Sequence, residues 1–321
     1  MQLGLITDSL GGLPLESALD VAAELGLDTV EIATGNWSEA PHVDLADLAA
    51  NASARKKLYD SVTSRGLTLS AFNANGNQLH PVSGRAHDRV IRESITVAGD
   101  LGVPTVVVMS GLPGARGEST PNWINTSWPP ETQDVLRYQW EEVAVPYWTD
   151  LAAFARSHGV RLAIEMHARQ LVFNVATMLR LREEVDPEVV GANLDPSHLM
   201  WQGADILAVI RALGPAIFHV HAKDARVDAQ NAAINGVLDT LPPDRAQERS
   251  WNYVTLGLGH AGGATFWARF AYALAAVGYD GPLNIEHEDV LVSSREGVRR
   301  AADMLRSVVV RDVPDWRPAR L

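Results

Sequence analysis

The chain has 321 residues, 46% of them hydrophobic, no cysteine and a formal net charge of −12. That is apolar material for one large core, which an α/β barrel can use as a single domain over 1–321. The acidic balance disfavours nucleic-acid binding, and the lack of thiols excludes disulfides and thiolate catalysis.

The opening segment, MQLGLITDSLGG, has no basic region and no long apolar run. It reads as a first strand, not as a signal peptide or membrane span, and the expected location is cytoplasmic. From there strand and helix patterns alternate. Strand 2–7 precedes helix 15–26, 28–33 precedes 51–65, 67–72 precedes 84–101, and 105–110 precedes 134–158. Strand 161–166 then leads to helix 174–184, 189–194 to 203–213, 216–221 to 264–278, and 282–287 to 294–309. Eight such units predict a (β/α)8 TIM barrel. Repeated endings such as ELGLD, SRGLT, DLGVP and SHGVR close a helix on glycine and start the next strand at once.

The long loops, 33–50, 111–133 and 222–262, all follow strands. They therefore gather at the C-terminal face, where barrels carry their active sites. Loop 111–133 holds Trp123 and Trp128, with Trp140, Tyr147 and Trp148 close behind. It reads either as a lid packed by its own aromatics or as an aromatic wall for a flat part of a substrate. The insert 224–262, rich in Ala, Asn and Asp, can cap the mouth or dock a partner.

Four polar residues end apolar runs: Glu165 in LAIEMH, Asp195 in VVGANLDPSH, His221 in IFHVHAKD and Glu286 in PLNIEHED. Buried strands do not end on such residues unless something offsets their desolvation. Three carboxylates and one imidazole, from four consecutive strands, predict a divalent metal site. The oxygen-rich set suits Mn2+, Mg2+, Co2+ or Fe2+ better than structural zinc. The plainer alternative is that each residue caps a helix or pairs locally. Alternation places Glu165 and His167 on one side of their strand, and likewise His219 with His221. A neutral imidazole at 167 suits proton abstraction from carbon. No GxGxxG, Walker or GxSxG pattern is placed to support nucleotide, redox or serine-hydrolase chemistry.

On these motifs the chain resembles the sugar phosphate isomerase/epimerase-like TIM-barrel superfamily, the xylose isomerase-like group. The resemblance implies one divalent ion, Mn2+ first, on Glu165, Asp195, His221 and Glu286. DPSH matches the family's Asp-x-x-His and puts His198 beside the substrate. HVHAKD is similar to the inosose-type branch, and Arg226 matches an arginine that binds substrate oxygens. Within the superfamily, IEMH, the PNWIN…WPPE stretch and GLGHAGGATFW (257–267) resemble the catalytic alpha subunit of bacterial C-glycoside deglycosidases. That likeness implies a lyase acting on a 3-oxo-glucoside, a small β-rich partner subunit and an oligomer. His167 would be the base, His198, Lys223 or His260 the acid, and Trp123 and Trp128 contacts for the leaving group. The alternative is a ketose or inosose isomerase, epimerase or dehydratase working through an enediolate, with Glu165 and Glu286 as paired bases.

Overall fold

In the computed structural model, which describes residues 1–312 and 315–316, eight strands close on one another in parallel. They are β1 (Gln2–Ile6), β2 (Thr29–Ala33), β3 (Thr68–Asn73), β4 (Thr105–Met109), β5 (Arg161–Glu165), β6 (Val190–Leu194), β7 (Ile217–Ala222) and β10 (Pro282–Ile285). The order is β1-β10-β7-β6-β5-β4-β3-β2, closed into a barrel, as the eight alternating units predict. Each strand is apolar on the face that meets the surrounding helices, and that layer holds the main core. Strands covered in this way read as near-continuous hydrophobic runs.

The helices are α1 (Leu15–Glu24), α2 (Leu45–Ala50), α3 (Ala52–Thr63), α4 (Gly84–Leu101), α5 (Glu131–Arg137), α6 (Val145–Ser157), α7 (Val175–Glu184), α8 (Pro196–Met200), α9 (Ile206–Leu213), α10 (Ala229–Asn235), α11 (Gly263–Ala276) and α12 (Ser294–Val308). Gly102 shows the predicted closure: at φ 69° it caps α4 and sends its N–H back to Ala98. Only a residue without a Cβ takes that conformation freely.

Three expectations need correction. The helix expected over 134–158 starts at Glu131 and is interrupted by a π-helical segment, Tyr138–Ala144, ahead of Pro146. Proline brings no N–H to the ladder, and a wider turn accommodates the lost bond. Loop 33–50 contains α2, which Asp44 caps by accepting the Asp47 N–H. The insert is not plain loop either. It carries α10 and an antiparallel hairpin, β8 (Asp224–Val227) with β9 (Trp251–Val254).

Inside the barrel the packing is polar near the bottom. Thr29 Oγ1 donates to Asn284 Oδ1 at 3.1 Å, and Asn284 Nδ2 donates to Ser70 at 3.1 Å. Gly4 makes room for this layer, since a Cβ there would lie 1.9 Å from Asn284 Oδ1.

Candidate active site and metal centre

The site rests on Glu31, a wholly buried carboxylate in the middle of β2. Four side chains donate to it: His219 Nε2 at 2.7 Å, His221 Nε2 at 3.0 Å, Asn73 Nδ2 at 2.8 Å and Asn284 Nδ2 at 2.9 Å. Burial works against its ionisation, but the charges of His221 and His219 hold it well below the usual carboxylate range. The consequence is directional. A carboxylate that accepts from His221 Nε2 keeps a proton on that nitrogen, so once the ring is neutral, Nδ1, which Asn193 Nδ2 approaches at 3.1 Å, is the atom that could ligate an ion.

His221 Nδ1 faces Glu286 Oε2 at 2.9 Å and Glu165 Oε2 at 3.8 Å. Glu165, Asp195, His221 and Glu286 each offer a ligand atom within 4.8 Å of the others. Local structure fixes each one. Glu165 is the last residue of β5, and Asn75 Nδ2 donates to its Oε2 at 2.5 Å. Asp195 caps α8, with Oδ1 accepting the Ser197 N–H at 2.8 Å while Pro196 takes the first helical position. Capping spends one oxygen and leaves the other for the site. Glu286 follows β10, where the next residue, His287, fits against α12 only because residue 297 is glycine.

A divalent cation fits this arrangement. Asp195 Oδ2 and Glu286 Oε2 are buried and receive no well-aligned hydrogen bond, although His198 Nε2 lies 3.1 Å from the first and His221 Nδ1 2.9 Å from the second; buried carboxylate oxygens held this way gain from a cation placed between them. The donor set, three carboxylates and an imidazole nitrogen, is that of a hard to borderline ion.

His198 Nε2 lies 2.8 Å from Glu165 Oε1 and 3.1 Å from Asp195 Oδ2, and its Nδ1 is 2.8 Å from the Tyr253 hydroxyl. Burial opposes its charge, yet Asp195 raises its pKa well above the ordinary value. In return, and against the effect of burial, the hydrogen bond from His198 holds Glu165 down at about 2. Lys223 Nζ is 3.1 Å from Glu286 Oε1 and 2.5 Å from Glu288 Oε2, above the Tyr253 ring. His167 differs. Its Nδ1 is 2.5 Å from the carbonyl oxygen of Ala168, so Nδ1 carries the proton and Nε2 keeps a free lone pair. Burial, then the charge of His198, lowers its pKa to about 4.

Glu165, His167, His198, Lys223 and Glu286 line one cavity of about 350 Å3, together with Trp37, Tyr253 and Glu288. Other sequence candidates lie elsewhere. Arg226 is exposed on the outer half of β8, in register with Asn252 of β9, and is not among the residues lining the cavity. His260 stacks on Phe266 at 3.9 Å near the start of α11. Trp128 is 75% exposed. Trp123 lines a neighbouring apolar pocket and meets Phe173 edge-on at 5.6 Å. Trp140 and Trp148 belong to the core. The sequence reading missed Glu31, Asn75, Tyr253 and Glu288. For Glu31 there was a signal: a single carboxylate inside the apolar strand TVEIA.

Residues 19–308 match the family model described as xylose isomerase-like TIM barrel. Over 314 residues the chain is 43% identical to the uncharacterized protein YfiH of Bacillus subtilis (strain 168), covering 96% of this chain and 99% of that one. It is 30% identical over 104 residues to inosose dehydratase of Salmonella agona (strain SL483), covering 29% of this chain and 35% of that protein. Among solved structures, that of the IOLI protein with a binding zinc atom matches with a TM-score of 0.65 at 20% identity, over 96% of this chain and 98% of that one. No helix among the described residues is long and apolar enough to cross a membrane.

Proposed function

The chain belongs to the xylose isomerase-like TIM barrel family, and from that premise we propose that it is a metal-dependent lyase acting on a keto-sugar, in the manner of a 3-oxo-glucoside deglycosidase. The observation that carries this reading is His167. Its free Nε2 and low pKa put an unprotonated base on the wall of the cavity that Glu165 and Glu286 also line, and those two carboxylates gather Asp195 and His221 behind them.

Glu165, Asp195, His221 and Glu286 would hold the ion. When bound, it would polarise the keto oxygen and offset the negative charge that deprotonation creates. His167 Nε2 takes the proton from C2. The electrons of that C–H bond form the C1=C2 double bond, and the bond from C1 to the leaving group breaks with its own pair. A protonated side chain then completes the departing group. His198 and Lys223 are the acids within the cavity, and both are held charged by neighbouring carboxylates. His260 is not among the cavity's lining residues.

The alternative is a ketose or inosose isomerase, epimerase or dehydratase. The local similarity to inosose dehydratase supports it, and Glu165 and Glu286 flank the same space as a pair of bases. Incubating the Mn2+-loaded protein with a 3-oxo-glucoside and following free aglycone by mass spectrometry tests the first reading. Release supports it. Silence there, with turnover of a free ketose or inosose, transfers the assignment to the alternative. A small β-rich partner belongs to the first reading, and adding such a subunit is the control for a silent assay.

A further inference from the structure

We propose that the cavity beyond His167 and Trp37 is an oxyanion site, shaped for a carboxylate or phosphate group carried by the substrate away from its reacting carbons. This second cavity, of about 480 Å3, shares Trp37 and His167 with the first. The two differ sharply in charge. Asp8, Glu165, Glu286 and Glu288 line the first. Among the described residues no carboxylate lines the second, although the chain has 39 acidic residues against 27 basic ones.

What the second cavity offers is donors. His80 Nδ1 accepts the backbone N–H groups of Val82 and Ser83 at 3.1 and 3.2 Å, and His87 Nδ1 accepts that of Asn77 at 3.2 Å. An imidazole whose Nδ1 is an acceptor carries its proton on Nε2, so both rings keep an N–H to offer. Asn77 is part of the frame, because its side-chain amide is spent on the Leu112 backbone at 2.8 and 3.1 Å. Arg169 adds a permanent charge on the same lining. Its backbone, at φ 63°, is in the left-handed region although it is not glycine. Strain of that kind persists where a side chain is needed in place. Arg169 also sits on the turn that carries His167, closed by the Gln170 N–H donating to the His167 carbonyl at 3.2 Å.

Two N–H donors and a guanidinium without an acid recognise an oxyanion. A cation would meet the Arg169 charge with no carboxylate in the lining to offset it, and a neutral hydroxyl gains little from a guanidinium. Burial, then the neighbouring His80, holds His87 below its ordinary pKa, which is the state of a neutral donor. That the anion belongs to the substrate rests on the keto-sugar reading above. Oxyanion binding itself does not.

The test is titration of the metal-loaded protein with inorganic phosphate and, separately, acetate, comparing wild type with Arg169→Gly and His80→Gln. Glycine is chosen because it favours the backbone at 169, so this variant should fold with an unreduced melting temperature. The expected result is saturable binding that weakens about tenfold or more in each variant, the loss of one charge-assisted contact. Preference between the two anions tells a phosphate-bearing from a carboxylate-bearing substrate. Binding that is absent, or equal in all three proteins, overturns the proposal, the second because it would place the anion on the metal. If anion binding follows the variants but no keto-sugar turns over, the site stands and the functional reading falls.

Discussion

Replacing Glu31 by glutamine tests whether the residue beneath the site sets its metal affinity. Four donors converge on the two oxygens of Glu31, two of them imidazole N–H groups. A glutamine returns one oxygen and one NH2 to the same space. At least one buried donor then faces another donor, at a cost of about 1–3 kcal/mol. His221 can relieve the clash by moving its proton to Nδ1, which removes the lone pair that faces Glu286 and Glu165. Either route is paid in metal binding. Partners of this kind change affinity by about 10–100-fold, or about 1.4–2.7 kcal/mol. Calorimetric titration of the metal-free variant with Mn2+, alongside wild type, measures it directly. A dissociation constant within about twofold of wild type, in a variant that melts cooperatively, would refute the idea that Glu31 orients His221.

Other outcomes follow from the same geometry. His167→Gln should lower turnover by about 100-fold or more, in the range of a lost general base, while Mn2+ affinity stays near wild type; retained turnover would remove His167 from the mechanism. With the His167 pKa at about 4, kcat/KM should hold at neutral pH and fall only as the pH drops through about 4, which a pH–rate profile checks. The same depressed value means the unfolded chain takes up this proton first, near pH 6.5. This residue therefore costs no stability above that pH and removes stability as the pH falls from about 6.5 to about 4, an effect that His167→Gln should delete from melting curves taken across that range. Gly4→Ala should destabilise by about 1–3 kcal/mol, because its Cβ would strike Asn284 and Thr29; an unchanged melting temperature would show that the polar layer can yield. A chelator should abolish turnover and Mn2+ restore it; full activity after exhaustive chelation counts against the metal-dependent reading.

The barrel was legible because its signals are local. An apolar run, a helical period and a closing glycine lie within a few residues of one another. Glu165, Asp195, His221 and Glu286 were legible because each interrupts the strand pattern at its end. Glu31 was obscure for the opposite reason. It interrupts a strand in the middle, and the histidines that explain it are 188 and 190 residues away in the chain. Tyr253 was hidden in a segment read as loop, although WNYV has strand alternation. Arg226 was misplaced because the antiparallel turn of β8 away from the barrel leaves no mark before the pairing is known. The tryptophans divide between core, side pocket and solvent, a partition that composition does not encode.

The hairpin inserted after β7 bears on how such a protein can diversify. Its strand β9 delivers Tyr253 to His198. Asp224, at its root, gathers the N–H groups of Gly257 and His260 and the indole of Trp267. The hinge end is thus riveted to the barrel, while α10 and the turns beyond it, around 229–248, have no buried residue. Length and sequence in that outer part can drift under selection for a new ligand or a new neighbour without disturbing the phenol that meets the His198 imidazole. Variation and chemistry are assigned to opposite ends of one excursion of the chain.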